Sequence, residues 1–308
     1  TGENRVGVTP DSIPSLKKMG FNVFVESNAG LASSFTNEDY KKAGAKISSK
    51  INDLYKNADV IVKIQRPQNI NKINEFKYIK KCNVLSLVYE QKFKSEFSNL
   101  KKLNINVFAL EKMPRISRAQ SMDVLSSQSN LSGYKAVIDA ASMFNKAFPL
   151  MMTSAGTVAP AKVLVIGAGV AGLQAIATAK RLGSVVSAFD VRTATKEQVE
   201  SLGAKFVSVQ SDESGETAAG YAKEMSKLYK KKQAKLLEDT LKKMDIVICT
   251  ALIPGKKAPI LITRKMVDQM KVGSIIIDLA SEFGGNCELT KHNAEVLHKS
   301  VKIFGPLN

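Results

Sequence analysis

One stretch, residues 161–192, constrains the possible folds of this chain more than any other. Residues 163–166 form an apolar, β-branched run that is long enough for one buried strand. A glycine motif, a helical segment over 173–182 and a second apolar run over 185–189 follow without interruption, and the second run ends in an acid. This order of strand, glycines, helix, strand and acid predicts half of a dinucleotide-binding α/β unit.

Each position of the motif has a physical role in binding a dinucleotide. Gly167 provides a tight turn, Gly169 lets the backbone approach a pyrophosphate, and Gly172 lets the helix pack on the strand. The helix N-terminus offers N–H groups and a positive dipole end to the phosphates. Asp190 can accept both hydroxyls of an adenosine ribose and would repel a 2′-phosphate, which predicts NAD(H) rather than NADP(H). Arg192 argues the other way, because a nearby Arg can accommodate that phosphate.

Strands alternate with helices along the whole chain, so we expect an α/β fold with two Rossmann-like parallel-sheet domains, 1–126 and 127–308, joined by a long helix. The joining helix is predicted to reach about residue 148, where Pro149 ends it, and its small residues allow close backbone approach. The first domain begins in a loop, so we expect the chain to be a fragment that lacks an N-terminal strand and the C-terminal completion of this domain. The predicted strands are 21–26, 60–64, 84–88, 106–109, 163–166, 185–189, 206–209, 246–250, 274–279 and one beginning at 303. The predicted helices are 11–19 (capped by Asp11), 38–43, 51–56, 96–103, 173–182, 222–244 and 263–270.

The composition narrows the class of protein. The net charge is +17, but the lysines are scattered along predicted helix faces without interleaved aromatic residues, so we do not expect nucleic-acid binding. No apolar run approaches the roughly 20 residues that a membrane span needs. The three cysteines are far apart and odd in number, which favours buried free thiols over disulfides: Cys82, Cys249 and Cys287.

Histidine, the usual residue for proton transfer and a common metal ligand, is scarce in this chain. Its two histidines, His292 and His298, are six residues apart and do not have metal-ligand spacing, so we expect no metal site. A dehydrogenase that forms a C=O group must move a proton as well as a hydride. Direct hydride transfer between two nicotinamides has no such need and is therefore favoured, although a Lys or Asp could still serve as an acid–base group.

A polar stretch over residues 211–221 contains glycines and charges and has one aromatic residue, Tyr221. Such a composition is typical of a mobile lid that closes over a bound ligand. A plain surface loop has the same composition, and both interpretations stay open.

Seven segments together resemble the NAD(H)-binding domain of proton-translocating NAD(P) transhydrogenase, a relative of alanine dehydrogenase. They cover nearly the whole chain, and the second and fifth are the most specific. The segments are Arg5-Val-Gly-Val-Thr-Pro10, residues 114–123 (Pro-Arg-Ile-Ser-Arg-Ala-Gln-Ser-Met-Asp), residues 151–157 (Met-Met-Thr-Ser-Ala-Gly-Thr), residues 167–172, residues 220–225 (Gly-Tyr-Ala-Lys-Glu-Met), residues 250–255 (Thr-Ala-Leu-Ile-Pro-Gly) and residues 278–286 (Asp-Leu-Ala-Ser-Glu-Phe-Gly-Gly-Asn).

The resemblance implies a function and a set of partners. Hydride would pass between NADH on this chain and NADP⁺ on a separate NADP(H)-binding domain, coupled to proton movement through a transmembrane domain. The chain would be a soluble domain of that membrane-bound complex, at an inner or plasma membrane, and the organelle stays open. A homodimer is also implied. The alternatives are an alanine dehydrogenase-like NAD-dependent amino-acid oxidoreductase and a non-catalytic NAD-binding module.

The resemblance also implies the site residues. Arg115, Asp123 and Ser126 would hold the nicotinamide carboxamide, Gln120 would face the incoming NADP(H) domain, and Tyr221 would close over the site. The residues expected to line the dinucleotide site are Arg115, Ile116, Ser117, Arg118, Gly167, Ala168, Gly169, Val170, Gly172, Asp190, Val191, Arg192, Gly220, Gln233 and Leu252.

The sequence departs from the alanine dehydrogenase pattern at two positions. That family has a His where this chain reads Leu87-Val-Tyr-Glu90, and an Asp near the position of Glu282. Arg5 and Lys63 still match its carboxylate-binding positions. The missing His removes the acid–base group that amino-acid oxidation needs.

Overall fold

The computed structural model describes residues 3–56, 58–70, 73–103, 105–114, 116–210, 213, 215, 225–253 and 256–307. The chain divides into two compact units, Thr1–Leu125 and Ser126–Asn308, and each is described by itself. Both units are mixed α/β structures with parallel sheets. Within the described ranges, none of the helices combines the length and apolar character needed to cross a membrane.

The first unit contains two separate parallel sheets among its described residues, where the alternating pattern predicted a parallel α/β domain. The strands are β1 (Phe24–Glu26), β2 (Lys46–Ser48), β3 (Val60–Gln65), β4 (Asn69–Ile70), β5 (Ile73–Asn74), β6 (Asn83–Leu87) and β7 (Asn106–Ala109). Strand β1 pairs with β2, and β3, β6 and β7 form a three-stranded sheet in the order β3-β6-β7; β4 and β5 form a small antiparallel pair. The helices are α1 (Ile13–Lys18), α2 (Asn37–Ala43), α3 (Ile51–Tyr55) and α4 (Lys94–Lys101).

Local chemistry explains the helix boundaries in this unit. Helix α2 begins at a capping box, in which Thr36 accepts from the Asp39 N–H and the Asp39 carboxylate accepts from the Thr36 N–H. The predicted cap at Asp11 is wrong. A short 3₁₀ turn, Pro10–Ser12, precedes α1, and Asp11 lies within that turn because Pro10 has started it.

The second unit is a doubly wound sheet of seven strands, preceded by an antiparallel hairpin of β8 (Met151–Thr153) with β9 (Gly156–Val158). The sheet strands are β10 (Lys162–Ile166), β11 (Val185–Phe189), β12 (Lys205–Val207), β13 (Ile246–Cys249), β14 (Ile275–Asp278), β15 (Ala294–His298) and β16 (Val301–Gly305). Their order is β12-β11-β10-β13-β14-β16-β15, and all neighbouring pairs are parallel except β15 with β16. The helices are α5 (Val124–Met143), α6 (Val170–Arg181), α7 (Lys196–Ser201), α8 (Lys227–Leu241) and α9 (Arg264–Val267).

The core of this unit lies on both faces of the sheet, because its central strands are buried on both sides. Every residue of β13 and β14 is buried. On one face α6 packs its small residues Ala175 and Ala179 against the sheet, and on the other α8 contributes Leu237 and Leu241. Because the central strands are parallel, their carboxyl ends meet at one edge of the sheet, where α/β sheets bind ligands.

Two helix boundaries and three strands are the main differences from prediction in the second unit. Helix α5 ends at Met143 and not near Phe148, because Phe148 turns back to the sheet: it is buried, and its carbonyl accepts from the Ala161 N–H at 3.0 Å. Strands β8, β9 and β15 were not predicted. Helix α8 begins at Lys227 and not at residue 222, because the Ser226 hydroxyl accepts from the Tyr229 N–H and caps it.

Candidate functional site

The candidate site begins where β10 ends in the glycine motif. Gly167 has φ +97°, a left-handed conformation that favours glycine, and its N–H donates to the Phe189 carbonyl at 2.8 Å. The Thr250 hydroxyl donates to the Gly167 carbonyl at 2.9 Å. Thus the loop after β10 is held between the ends of β11 and β13. Since the chain order reverses between β10 and β13, this is the topological switch point of the sheet.

The other two glycines have opposite surroundings. A Cβ on Gly172 would lie 1.8 Å from the Gly167 carbonyl oxygen, so this glycine permits the packing of α6 on the loop. A Cβ on Gly169 would meet no atom of the described residues within 4 Å. Gly169 is the N-cap of α6, and a glycine at this position has no side chain that could bond to the first N–H groups of the helix. The loop therefore presents a helix N-terminus to open space, which fits a pyrophosphate.

Asp190 follows β11 directly and is buried, with 6% of its surface exposed. Its Oδ2 accepts from the Ala168 N–H at 2.7 Å, which joins the acid to the glycine loop. Its Oδ1 accepts from the Arg192 N–H at 2.8 Å. The Arg192 guanidinium also binds both oxygens, with Nε 3.0 Å from Oδ1 and Nη2 2.8 Å from Oδ2.

Helix α8 closes the side of the site beyond Asp190. Burial raises the pKa of the Tyr229 hydroxyl, and the nearby carboxylates of Asp190 and Glu213 raise it further. Gln233, one turn later, is also buried. Glu213 accepts from the backbone N–H and the hydroxyl of Ser226, and so holds the start of the helix.

The polar stretch is described only at Glu213 and Gly215. A Cβ on Gly215 would lie 2.1 Å from the Val191 carbonyl oxygen, so Gly215 packs on the backbone that follows Asp190. Gly220 and Tyr221, and with them the lid hypothesis, lie outside the described residues.

The loop after β13 carries Leu252, which is 40% exposed. Asn286 fixes this loop, because its Oδ1 accepts from the Ala251 N–H at 3.0 Å and its Nδ2 donates to the Ala251 carbonyl at 2.9 Å. Asp278 in turn fixes Asn286 by accepting its N–H at 2.7 Å. Burial raises the pKa of Asp278, although hydrogen bonds from Cys287, Thr290, Asn286 and Ala280 lower it in part. The 278–286 segment, one of those that carry the family resemblance, thus holds the loop after β13 in place.

The remaining predicted residues belong partly to the first unit. Arg115 lies outside the described residues. Ile116, Ser117, Arg118 and Gln120 are exposed around a 3₁₀ turn, Ser117–Met122, and Asp123 follows that turn. Ser126 lies in the second unit, in the first turn of α5, while Val170 is the first residue of α6. Their predicted roles stay predictions.

Two residues that shape the site were not singled out from the sequence. Thr250 ties β13 to the glycine loop, and only its place at the end of a buried strand hinted at this. Gly133 on α5 lets that helix approach α6, since a Cβ there would lie 2.1 Å from the Ala171 carbonyl oxygen. The abundance of small residues in α5 did predict a close backbone approach, and Gly133 is where it occurs.

Family models match both units. The model described as "Alanine dehydrogenase/PNT, N-terminal domain" matches residues 1–132, and "Alanine dehydrogenase/PNT, C-terminal domain" matches residues 136–308. The chain belongs to the alanine dehydrogenase/PNT family. The resemblance seen in the sequence motifs is thereby confirmed.

Individual relatives agree with this assignment. The chain is 53% identical over 315 residues to the first part of NAD(P) transhydrogenase subunit alpha of Rhodospirillum rubrum, covering 100% of this chain and 81% of the relative. It is similar to the crystal structure of transhydrogenase from Sinorhizobium meliloti, with a TM-score of 0.89, 48% identity and coverage of 99% and 82% of the two chains. An L-alanine dehydrogenase structure shares the fold, with a TM-score of 0.81 at 24% identity and coverage of 99% and 80%. The predicted α/β fold with Rossmann-like domains is therefore confirmed.

Proposed function

We propose that this chain is the NAD(H)-binding component of a proton-translocating transhydrogenase. The observation that carries the proposal is the switch point, where the N-terminus of α6, its glycine N-cap Gly169 and the acid Asp190 meet at one edge of the sheet. The helix N-terminus would hold the pyrophosphate, and Asp190 would hold the adenosine ribose. NAD(H), when bound, supplies the hydride donor or acceptor.

The partner reaction requires a second nucleotide on another chain or domain. Hydride would pass to NADP⁺ on a separate NADP(H)-binding domain, and a transmembrane domain would couple the transfer to proton movement. Arg115, Asp123 and Ser126 would fix the rotation of the nicotinamide carboxamide, which offers one acceptor and two donor hydrogens. Gln120, exposed on its 3₁₀ turn, would face the partner ring, and Tyr221 would close over the site. The names of the relatives support a subunit of a larger complex.

An alanine dehydrogenase-like activity is the rival within the same family, and ion pairs in the first unit argue against it. The Arg5 guanidinium binds the Glu3 carboxylate, with Nε 2.7 Å from Oε1 and Nη2 2.9 Å from Oε2. Lys63 is paired with the Glu75 carboxylate. The two cations at the carboxylate-binding positions therefore already hold carboxylates of their own chain. Because no His stands at the acid–base position, we expect no NADH formation from L-alanine and NAD⁺, and turnover of about 1–10³ s⁻¹ would reverse this choice.

A homodimer is the proposed assembly, and the hairpin of β8 and β9 supports it. All six residues of its strands are exposed, and Met151, Met152 and Val158 expose 50%, 73% and 47% of their surfaces. A two-stranded hairpin with exposed apolar residues has little stability alone and marks an association surface. Sedimentation of the wild type and of Met152→Glu tests this: a dimer that the substitution leaves intact would exclude the hairpin as the interface.

The deciding experiment adds a purified NADP(H)-binding transhydrogenase domain to this chain. Reduction of an NAD analogue by NADPH, followed spectroscopically, should depend on both components. Binding of NADH without any transfer would instead favour a non-catalytic NAD-binding module. If the chain binds no NADH, both the transhydrogenase component and the NAD-binding module are excluded.

A further inference from the structure

The carboxylate of Asp190 has no free acceptor position in this structure. A carboxylate offers about four lone-pair sites, and four N–H donors surround this one at 2.7–3.0 Å: the backbone N–H groups of Ala168 and Arg192, and Nε and Nη2 of Arg192. Two hydroxyls of a ribose need two of these positions. Binding therefore requires that two existing donors leave.

Of these four donors, the two on the guanidinium belong to a side chain, so they can leave Asp190 without a change in the backbone of the site. The Ala168 N–H belongs to the glycine loop, and the Arg192 N–H fixes the turn after β11. The Arg192 side chain is 17% exposed, against 5% for that of Asp190, so it borders solvent. Helix α7, which follows in the chain, carries Glu197 and Glu200 on an open groove that Lys196 also lines.

We propose that Arg192 is an internal competitor of the adenosine ribose: its guanidinium occupies the ribose position on Asp190 and must rotate away for NAD(H) to bind. The inference rests on the proposed function of this site. We call the Arg192–Asp190 side-chain pair the latch. NAD(H) binds only to molecules in which this pair is open, so the apparent affinity equals the intrinsic affinity multiplied by the open fraction. Once displaced, the guanidinium is a cation beside the ribose 2′ position. The competition for Asp190 weakens NADH binding, whereas the displaced cation favours a 2′-phosphate, so Arg192 reduces discrimination against NADPH.

The test compares the wild type with Arg192→Met, which keeps the length of the side chain and removes its donors. NADH affinity, from fluorescence titration, should rise about tenfold, equivalent to about 1.4 kcal/mol, and the association rate should rise with it. NADPH affinity should stay level or fall. Reduced nicotinamide mononucleotide lacks the adenosine ribose, so its affinity should not change. Arg264→Met removes an exposed positive charge elsewhere in the same unit and should change none of these values.

The possible outcomes separate the latch from the site itself. If the wild type binds no NADH, the proposed function fails. If the wild type binds NADH and Arg192→Met binds it equally or more weakly, only the latch is wrong and Arg192 is an ordinary ligand. A rise for nicotinamide mononucleotide as large as that for NADH would also overturn the latch. Should Arg192→Met fail to fold, Arg192→Lys, which cannot bind both oxygens with a planar fork, must still raise NADH affinity by a smaller factor.

Discussion

The Thr250 hydroxyl lies 2.9 Å from the Gly167 carbonyl oxygen and 3.2 Å from that of Ile166, and its single O–H is shared between the two. The Thr250 N–H also donates to the Ile166 carbonyl at 2.8 Å. One residue thus joins the ends of β10 and β13 at the switch point. The position of the glycine loop depends on it, although Thr250 belongs to the neighbouring strand.

Thr250→Val tests this relationship, because it removes the hydroxyl and keeps the shape. The lost hydrogen bond should cost about 1 kcal/mol and should weaken NADH binding by roughly fivefold as the loop loosens. Thr250→Ser keeps the donor and should bind like the wild type. Fluorescence titration and thermal unfolding measure both effects; equal affinities for all three proteins would show that the loop is held by other contacts.

Alanine substitutions at Gly169 and Gly172 should have different effects. Gly169→Ala adds a methyl group to open space, so the protein should fold normally while NADH affinity falls about tenfold or more because the pyrophosphate can no longer approach. Gly172→Ala forces a Cβ onto the Gly167 carbonyl and should cost about 1–3 kcal/mol of folding free energy.

Chemical denaturation beside NADH titration separates these cases. A Gly169→Ala protein that is as destabilised as Gly172→Ala would mean that Gly169 packs on the protein and does not face a ligand.

The structural elements that were predicted correctly are those whose formation depends on neighbouring residues. The order of strand, glycines, helix and acid over 161–192 requires only neighbouring residues, and β10, α6 and β11 appear where the pattern placed them, within three residues. The end of α5 was misplaced because a distant contact decides it: Phe148 returns to pair with Ala161. The separation of β1 and β2 from the other strands of the first unit is likewise a matter of long-range pairing.

In the candidate site too, several residues could be predicted from the sequence, whereas their contacts could not. Asp190 and Arg192 were both recognised from spacing, but their bidentate contact was not predicted, because residue spacing does not give the direction of a side chain. The role of Thr250 depends on the adjacency of β10 and β13, which are about 80 residues apart in the chain.

The acid after β11 should decide between the two nucleotides. We expect NADH to bind at least about tenfold more tightly than NADPH, because the Asp190 charge lies where a 2′-phosphate would approach. Asp190→Asn should weaken NADH binding and strengthen NADPH binding. Asp239→Asn changes an exposed carboxylate on α8 that pairs only with Lys235 and Lys242 among the described contacts, and it should leave the ratio unchanged. Titrating both reduced nucleotides checks this, and equal affinities in the wild type would contradict the assignment of NAD(H).

Gln120 should act on hydride transfer more than on NADH binding. It is exposed on the 3₁₀ turn Ser117–Met122, within the segment that carries Arg115 and Asp123. The histidines of the chain, His292 and His298, both lie near its C-terminal end, far in sequence from Gln120. Hydride transfer between two nicotinamides needs no proton-transfer group, so we expect its rate to depend on placing the two rings about 3–3.5 Å apart. A residue that positions only the partner ring contributes to the transfer step and not to the affinity for NADH.

Gln120→Asn keeps the amide and shortens its reach. The rate of single-turnover transfer to the added NADP(H)-binding domain should fall roughly tenfold or more, at a cost of at least about 1.4 kcal/mol, while NADH affinity of the isolated chain stays nearly unchanged. Gln198→Asn, an exposed glutamine on α7, should alter neither quantity. If NADH affinity falls strongly and transfer from the saturated complex stays normal, Gln120 is a ligand of NADH and does not contact the second nucleotide.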